Sequence, residues 1–216
     1  MEILVLGATG RTGRHLVRLI LNEGHQVTAF VRSPEKLPRP QTGVRVIRGD
    51  GIDISNLQNL FGNQRFDAVI IAVGADSLKC STVRGDVTKN VVKCLSQTNA
   101  NPRIWVVSSA GANESLGHLG FFSRTFVNTI LKGHISDHEA QENYVRESSL
   151  PYTIVRPVGL TDEMMNQKNY LVMESGRVQT TNISRLSVAD FIVQNLDNPK
   201  YLGKAVTLCS SSEKNK

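Results

Sequence analysis

Seven consecutive residues near the start of the chain have the types and spacing that phosphate binding needs: Gly7, Ala8, Thr9, Gly10, Arg11, Thr12 and Gly13. Gly7 permits a tight turn, Gly10 lets backbone N–H groups approach a pyrophosphate, and Gly13 lets a following helix lie close to a sheet. A helix that starts here adds unpaired N–H groups and the positive end of its dipole. The segment therefore predicts a dinucleotide site, and the alternative is a glycine-rich turn that binds nothing.

The elements around this glycine segment are those that a dinucleotide site requires. A short apolar run, Glu2 to Leu6, precedes it, and a helical pattern continues to Asn22 and stops at Gly24. A second apolar run covers Gln26 to Val31. Strand, glycine turn, helix and strand in this order distinguish a nucleotide fingerprint from a chance glycine triplet.

The end of the second predicted strand indicates which dinucleotide is bound. Sites that prefer NAD place an acidic side chain there to accept the ribose 2′-hydroxyl. This chain has Arg32 and Ser33 instead, and its first acid is Glu35. A guanidinium pairs well with the oxygens of a 2′-phosphate and stays charged. Arg32, helped by Ser33, therefore predicts a preference for NADP, and the alternative is a solvated arginine at a strand end.

Small and polar residues also follow the other predicted strands. They are Asp50 after 43–49, Ala72, Val73 and Gly74 at the end of 66–73, Ser108 and Ser109 after 103–107, and Pro157 and Val158 after 151–155. Because ligands bind beyond the carboxyl ends of strands in an open α/β sheet, we expect these residues to share one site with the glycine segment. Two roles stay open: Asp50 contacts adenine or caps a helix around 55–61, and Ser108 binds a ribose, caps a turn or takes part in chemistry.

The segment from Gly117 to Gly133 is flanked by glycines and rich in phenylalanine. Its position directly after the Ser109 turn predicts a mobile loop and helix that partly cover the nicotinamide end of the site. The alternative is an ordinary amphipathic helix in which Phe122, Phe126 and Ile130 are buried together at i, i+4 and i+8.

The remaining patterns predict one α/β domain. A capping-box pair, Ser136 and Glu139, predicts the start of a helix that runs to about 148. Two short runs at 170–173 and 177–180 predict a hairpin, followed by a helix over 188–196 and a last strand over 205–208. We therefore expect a single-domain, doubly wound parallel sheet with helices on both faces over 1–209, including a small C-terminal extension on the substrate side, and a flexible tail at 210–216.

Composition argues against several other classes of protein. The 216 residues carry a net charge of +6, but the basic residues are dispersed, without the aromatic-and-basic pattern of an RNA-binding module. We expect a field that attracts an anionic cofactor, and no binding of nucleic acid. No apolar stretch approaches the ~20 residues of a membrane span. The three cysteines lack metal-type spacing and predict free thiols and a cytoplasmic location, and we expect a monomer without bound metal.

Several motifs together make the chain similar to the atypical short-chain dehydrogenase/reductase superfamily. They are GATGRTG from Gly7, VRSPEK from Val31, the pair Gly49-Asp50, SSAG from Ser108, and the run from Glu142 that ends in YTIVRP. Within the superfamily the chain most closely resembles the compact NADPH-dependent flavin reductases, also called biliverdin-IXβ reductases. This second likeness rests on Arg32, Asp137-His138 and Arg146-Glu147-Ser148, and the resemblance covers almost the whole chain.

The resemblance implies roles for the residues already singled out. It implies that 7–13, Arg32, Asp50 and 72–74 hold NADPH or NADP⁺, and that Ser109 lies beside the nicotinamide, in contact with cofactor and substrate. One departure concerns the substrate. The flavin reductases have a histidine soon after the proline that ends the sixth strand, whereas here Val158 and Gly159 follow that proline, so no role for that histidine is carried over.

His138 falls where many atypical relatives have lysine and where the flavin reductases carry histidine. The resemblance implies that His138 supplies a proton or attracts a phosphate or propionate of the substrate. The alternative is an ordinary residue in the first turn of a surface helix.

The chain lacks the acid that conventional short-chain dehydrogenases use to reduce carbonyl groups. In those enzymes a lysine four residues after a tyrosine makes the phenol a better acid. The four tyrosines here are followed at that spacing by Ser148, Arg156, Glu174 and Ala205. The absence argues against alcohol and steroid substrates and favours a conjugated acceptor, which delocalises the added charge.

The resemblance therefore implies hydride transfer from NADPH to a small conjugated acceptor such as FMN, as substrate, or biliverdin. A different function stays open, because the same superfamily includes proteins that bind NADP as a redox signal and pass it to a protein partner without turnover. A third function, as an assembly factor that uses the fold as a scaffold, has no positive feature in the sequence.

Overall fold

A computed structural model describes residues 1–37, 42–74, 81–163 and 169–211, without the side chain of Asn128. Its strands are β1 Glu2–Leu6, β2 Gln26–Val31, β3 Val44–Arg48, β4 Ala68–Ile71, β5 Arg103–Val107, β6 Tyr152–Pro157, β7 Gly159–Thr161, β8 Tyr170–Met173, β9 Asn182–Ser184 and β10 Lys204–Ser210. Its α-helices are α1 Arg11–Asn22, α2 Ile54–Asn63, α3 Val83–Ser96, α4 Phe121–Thr129, α5 Lys132–Arg146 and α6 Arg185–Val193. Short 3₁₀ turns cover Pro34–Lys36, Asn113–His118 and Pro199–Tyr201.

Eight of these strands form one sheet in the order β3-β2-β1-β4-β5-β6-β10-β8. All neighbours are parallel except β8, which pairs antiparallel with β10. The strands β7 and β9 form a separate parallel pair beside the sheet. The order reverses between β1 and β4, and in doubly wound sheets that point opens a crevice for ligands. The predicted fold class is confirmed.

The sheet is buried on both faces because its central strands are apolar throughout. In β1, Ile3 and Val5 pack with residues of α1 and α6, while Leu4 and Leu6 pack with residues of α2, α3 and α5. Two apolar cores, one on each face, hold the parallel strands in register. Among the helices that the structure describes, none is long and apolar enough to cross a membrane.

The capping-box prediction at Ser136 is wrong. Helix α5 starts at Lys132, and its N-cap is Leu131, five residues before the predicted cap. Tertiary contacts explain the earlier start, because Ile135 is buried in the first turn and the next turn faces α3. There the Asp137 carboxylate accepts backbone N–H groups of α3, at 2.8 Å from Gly85. The polar residues in this turn therefore serve α3 rather than their own helix.

The predicted hairpin around 175–176 is also wrong. The first of its two runs forms β8, but β8 pairs with β10, with Leu208 opposite Val172. The second run forms no strand, and the Val178 N–H donates instead to the carbonyl of His118 at 3.0 Å. Pairing with β10 places the apolar run of β8 against the main core, which a solvent-exposed hairpin cannot do.

The end of the chain and the cysteines complete the comparison. Strand β10 extends to Ser210, one residue into the predicted tail, and residues 212–216 lie outside the described residues. Cys94 and Cys209 are buried free thiols, as predicted, whereas Cys80 lies outside the described residues.

Candidate cofactor and acceptor cleft

One cleft of about 1160 Å³ opens at the carboxyl ends of the parallel strands. Sixteen of the predicted site residues line it: Gly7, Thr9, Gly10, Arg11, Thr12, Arg32, Ser33, Asp50, Ala72, Val73, Gly74, Ser108, Ser109, His138, Pro157 and Val158. Gly13 is the predicted site residue that lies behind the lining, under the start of α1. The structure thus brings together segments that are far apart in the sequence.

The glycine segment has the close backbone packing that its spacing predicts. Gly7 has φ +86°, and a Cβ there would lie 2.4 Å from the carbonyl oxygen of Ala72. A Cβ at Gly13 would lie 2.1 Å from the Gly7 oxygen, so α1 packs directly on the turn. Helix α1 begins after Gly10, which has no side chain to cap it, and its first turn contains no acidic residue. Its positive end therefore faces the cleft, and the segment fits a pyrophosphate.

Basic side chains gather at the end of the cleft near β2. Arg32 is exposed on the cleft wall, where the sequence predicts it. Arg14 and Lys36, which were not predicted, also line this end. The Arg14 guanidinium donates to the backbone oxygens of Thr9 and Lys36, at 3.1 and 3.0 Å. The sequence did carry a signal for Arg14, since it lies three residues after Arg11 on the same helix.

A carboxylate outside the glycine segment bridges two cleft arginines. Asp162 follows β7 and pairs with Arg11 at 2.7 Å and with Arg185 at 2.8 Å. Its slight burial acts to raise the pKa of Asp162, but the hydrogen bond from Arg11 and the charge of Arg185 outweigh it, so the pKa is lowered. Sequence reasoning missed this bridge, because nothing local relates Asp162 to residues so distant in the chain.

Asp50 lines the cleft but does not cap α2. Its Oδ1 accepts the N–H of Ile52 at 3.1 Å, within its own turn. The cap is Asp53, whose carboxylate accepts the Ser55 N–H at 2.9 Å. Hydrogen bonds from Ser55 lower the pKa of the Asp53 carboxyl. Of the two roles predicted for Asp50, the helix cap is therefore wrong.

A buried ionic network lies directly behind the end of β5. Ser108 Oγ donates to Glu142 Oε1 at 2.6 Å, and Arg156 Nε donates to the same oxygen at 2.8 Å. Arg156 also reaches Glu114, with Nη1 at 2.9 Å from Oε1. Burial acts to lower the pKa of Arg156, but the hydrogen bonds to the two carboxylates outweigh it and raise the pKa. The Ser108 hydroxyl proton is thus held by Glu142, which favours the turn-holding role for Ser108.

Ser109 is held much less firmly than its neighbour. Among the residues that the structure describes, its hydroxyl donates only to the carbonyl of Ala110, at 3.2 Å, and its side chain is half-buried on the cleft wall. A long hydrogen bond of this kind is easily exchanged for one to a ligand. Ser109 therefore has the exposure and the exchangeable proton that an orienting residue needs.

His138 is neither a surface residue nor a charged group. It lies in the second turn of α5 rather than in the first, and it is buried, with 9% of its surface exposed. Burial first, and the charge of Arg84 second, lower the pKa of His138 to about 3. Its imidazole is therefore neutral and does not attract an anion. Within the described part of the chain, its Nδ1 has no hydrogen-bond partner, and the ring lines the cleft.

Helix α4 forms the outer wall of the cleft. Phe122 is 87% exposed, Phe126 49% and Ile130 67%, so the alternative in which they are buried together is wrong. The inward side chain of α4 is Val127, which packs on Gly111. Phe122 and Phe126 line the cleft, as the predicted cover of the site requires. Aromatic residues at four-residue spacing follow one face of a helix, but the spacing does not show whether that face meets protein or solvent.

Three comparisons place this site among known proteins. The profile of a family described as NAD(P)H-binding matches residues 7–199. The oxidoreductase aflX of Aspergillus parasiticus is 28% identical over 214 residues, covering 91% of this chain and 79% of aflX. The structure of a Veillonella parvula short-chain dehydrogenase/reductase in complex with NADP has a TM-score of 0.81 at 22% identity, covering 98% of this chain and 95% of the other. The structure of ChuY, an anaerobillin reductase from Escherichia coli O157:H7, has a TM-score of 0.80 at 20% identity, with full coverage of both chains.

At these identities the two solved structures support the fold alone. The family profile covers most of the chain and includes the glycine segment, the basic end of the cleft and the network behind Ser108. The residues present also fit a nicotinamide dinucleotide, because the glycine cradle and the start of α1 face the same cleft. The chain belongs to the NAD(P)H-binding family of Rossmann-fold proteins.

Proposed function

We propose that the protein is an NADPH-dependent reductase that transfers hydride to a small conjugated acceptor, with FMN as the first candidate and biliverdin as the second. One observation carries the proposal: a single cleft joins a phosphate-binding cradle at one end to Ser109, His138 and two exposed aromatic side chains at the other. Its volume of about 1160 Å³ exceeds the roughly 300–1,000 Å³ of a typical one-ligand pocket. The volume supports a cleft for a dinucleotide together with a second ring system.

The basic end of the cleft supports NADPH rather than NADH. Arg32, Arg14 and Lys36 line that end, and no acidic residue stands at the end of β2. A 2′-phosphate there meets guanidinium groups that keep their charge at every physiological pH. The complex of the Veillonella parvula protein with NADP is consistent with this preference.

The chemistry asked of the protein at the other end is modest. A bound nicotinamide supplies hydride, which carries two electrons, and the acceptor takes one further proton from water. Ser109 orients the acceptor by its exchangeable hydroxyl proton. The neutral His138 offers hydrogen bonding without charge. The wall of α4 limits access of water, so that the protein acts mainly by positioning and exclusion.

The test is oxidation of NADPH by the purified protein with and without FMN, and then with biliverdin. We expect turnover that depends on the acceptor. Arg32→Ala should raise the KM for NADPH about tenfold to a hundredfold, the value of a charge-assisted contact, and leave that for NADH unchanged. Ser109→Ala should lower kcat about tenfold. The matched control is Arg18→Ala, which removes an exposed cation of α1 away from the cleft lining.

The outcome that overturns the proposal is tight binding of NADPH with no oxidation by flavin, bilin or quinone. That result favours the other function considered, a protein that binds NADP as a redox signal. The two also differ in affinity, since a sensor must bind NADP⁺ and NADPH with different dissociation constants.

A further inference from the structure

We propose that Phe122 and Phe126 of α4 form the binding surface for the acceptor, and that the acceptor presents an uncharged planar ring system to them. The inference rests on the proposed function and narrows it to a substrate class, that of flavin or quinone rings. The two side chains line the same cleft as the glycine cradle. Large apolar side chains left in water beside a ligand cleft mark a binding surface.

The exposure of this surface is selective. Phe122 is 87% exposed and Phe126 49%, four residues apart on the face of α4 that borders the cleft. Two other exposed apolar residues of the same region, Phe121 and Ile130, do not line the cleft. Aromatic side chains provide a large flat contact at small conformational cost, which suits a flat ring better than a flexible chain.

The position of α4 relative to Ser109 is determined by packing. Val127, which directly follows Phe126 and also lines the cleft, packs on Gly111, where a Cβ would lie 3.0 Å from a Val127 methyl. Arg124 donates to the carbonyls of Leu116 and Gly117, at 3.0 and 2.8 Å. Because Gly111 lies two residues after Ser109, the aromatic surface and the orienting hydroxyl belong to one connected unit.

The charges at this end of the cleft argue for an uncharged ring. Arg84 lines the cleft beside His138, but its guanidinium is paired with the buried Asp137 at 3.1 Å. Arg185 is paired with Asp162 at 2.8 Å. The imidazole of His138 is neutral. The two cleft arginines named here are already held by carboxylates, so this end favours a ligand that stacks and makes neutral hydrogen bonds over one that must bury its own carboxylate on the aromatic surface.

The experiment uses riboflavin as an uncharged probe and FMN as its phosphorylated counterpart. The double variant Phe122→Ala/Phe126→Ala is compared with Ile130→Ala, which removes an equally exposed apolar side chain of the same region outside the cleft lining. Three quantities are measured: the KM of each flavin, the dissociation constant of NADPH by calorimetry, and the affinity of riboflavin for the NADP⁺ complex by quenching of flavin fluorescence. Sedimentation of each variant gives its oligomeric state.

We expect the double variant to raise the KM of both flavins and the dissociation constant of riboflavin about tenfold, the value of lost aromatic stacking and apolar contact. The dissociation constant of NADPH should stay unchanged, and Ile130→Ala should match the parent protein. Unchanged flavin affinity in the double variant overturns the inference while leaving the reductase intact. A double variant that changes only from dimer to monomer assigns the surface to a second copy of the chain.

The quenching measurement keeps the inference separate from the proposed function. If NADPH is not oxidised but riboflavin binds in a way that depends on Phe122 and Phe126, the reductase proposal fails and the binding surface stands. The reverse outcome is also distinguishable. If the protein oxidises NADPH with another acceptor but riboflavin does not bind, either to the NADP⁺ complex or during that turnover, the inference fails and the reductase stands.

Discussion

The two ends of the cleft are built in different ways. The cofactor end is formed by closely packed backbone, because Gly7 and Gly13 leave no room for a side chain and bring α1 against the turn. The acceptor end is held together by side chains, because Glu142 and Arg156 link α5 to β6 behind the end of β5. At the first end there is no room to add a side chain. At the second end a side chain can change shape, but the loss of one charge leaves its ionic partner unbalanced.

This difference explains why large apolar side chains are exposed on the cleft wall at one end and not at the other. A cradle of backbone groups needs only close packing, and it is complete without a ligand. The acceptor end leaves Phe122 and Phe126 exposed to water on the cleft wall. A flat ligand that covers them removes apolar surface from water, at about 25 cal/mol for each Å². The predictions below test this contrast, from the largest expected effect to the smallest.

Glu142→Gln should destabilise the fold at the acceptor end. The substitution leaves the buried Arg156 without its fully buried partner, and Glu114 alone, on the surface side, cannot replace it. We expect a loss of about 3–5 kcal/mol in the free energy of unfolding, the usual effect of removing one member of a buried pair. Urea denaturation measures it, with Glu147→Gln at the exposed end of α5 as control. A loss below about 1 kcal/mol would show that the network is not structurally important.

Gly13→Ala should destabilise the fold at the cofactor end and weaken the binding of NADPH. The added methyl would lie 2.1 Å from the Gly7 oxygen, which is backbone and cannot move aside. We expect a loss of about 3 kcal/mol and a matching fall in NADPH affinity. Gly62→Ala in α2 is the control, since no atom of the described part of the chain lies within 4 Å of a Cβ added there. That variant should gain about 0.5–1 kcal/mol from higher helix propensity. Equal stabilities for the two variants would contradict the steric account.

His138 should make stability depend on pH at the acceptor end. Its folded-state pKa of about 3 lies below the value of 6.5 for the unfolded chain, so the unfolded state binds the proton first. The contribution is fully present above 6.5 and is lost as pH falls toward 3. At pH 5 the loss should be about 2 kcal/mol relative to pH 7. His138→Gln should reduce the difference between pH 7 and pH 5 by that amount, and an identical difference in both proteins would refute the burial of a neutral ring.

The smallest expected effect on stability is that of a substitution on the exposed side of α4, compared with one on its inward side. Phe122→Ser should change the free energy of unfolding by less than about 0.5 kcal/mol, because the side chain is already exposed. Val127→Ala, on the inward side, should cost about 2 kcal/mol through the cavity it leaves against Gly111. Thermal or urea unfolding of the two variants provides the comparison. A costly Phe122→Ser would mean that this side chain is buried in solution.

The cofactor end could be predicted from the sequence almost completely, for a physical reason. The strand, the turn and α1 are adjacent in the chain, and β1, α1 and β2 have the predicted bounds, from Glu2–Leu6 to Gln26–Val31. Arg32 follows from its place at the end of β2. The steric role of glycine and the apolar character of a strand depend on residues that are adjacent in the chain, so the sequence pattern alone predicts them.

The acceptor end could be predicted only in outline. Ser108 and Ser109 follow from the end of β5, but the link from Ser108 to Glu142 and Arg156 depends on how α5 packs against the sheet. The Ser-x-x-Glu spacing at Ser136 misled because polar side chains of α5 bond to α3 instead. The sequence left two alternatives open for α4, a cover of the site or a buried face, because four-residue spacing is the same for a buried and an exposed stripe.

The central claim is that one cleft holds both NADPH and the acceptor, and single-turnover mixing tests it most directly. The protein is loaded with one equivalent of NADPH and mixed without oxygen with one equivalent of FMN. The account predicts that the absorbance of reduced nicotinamide and the visible absorbance of oxidised flavin fall together, with one rate constant and a one-to-one stoichiometry. NADPH that stays bound and unoxidised, with FMN, riboflavin and biliverdin each present in turn, would contradict it.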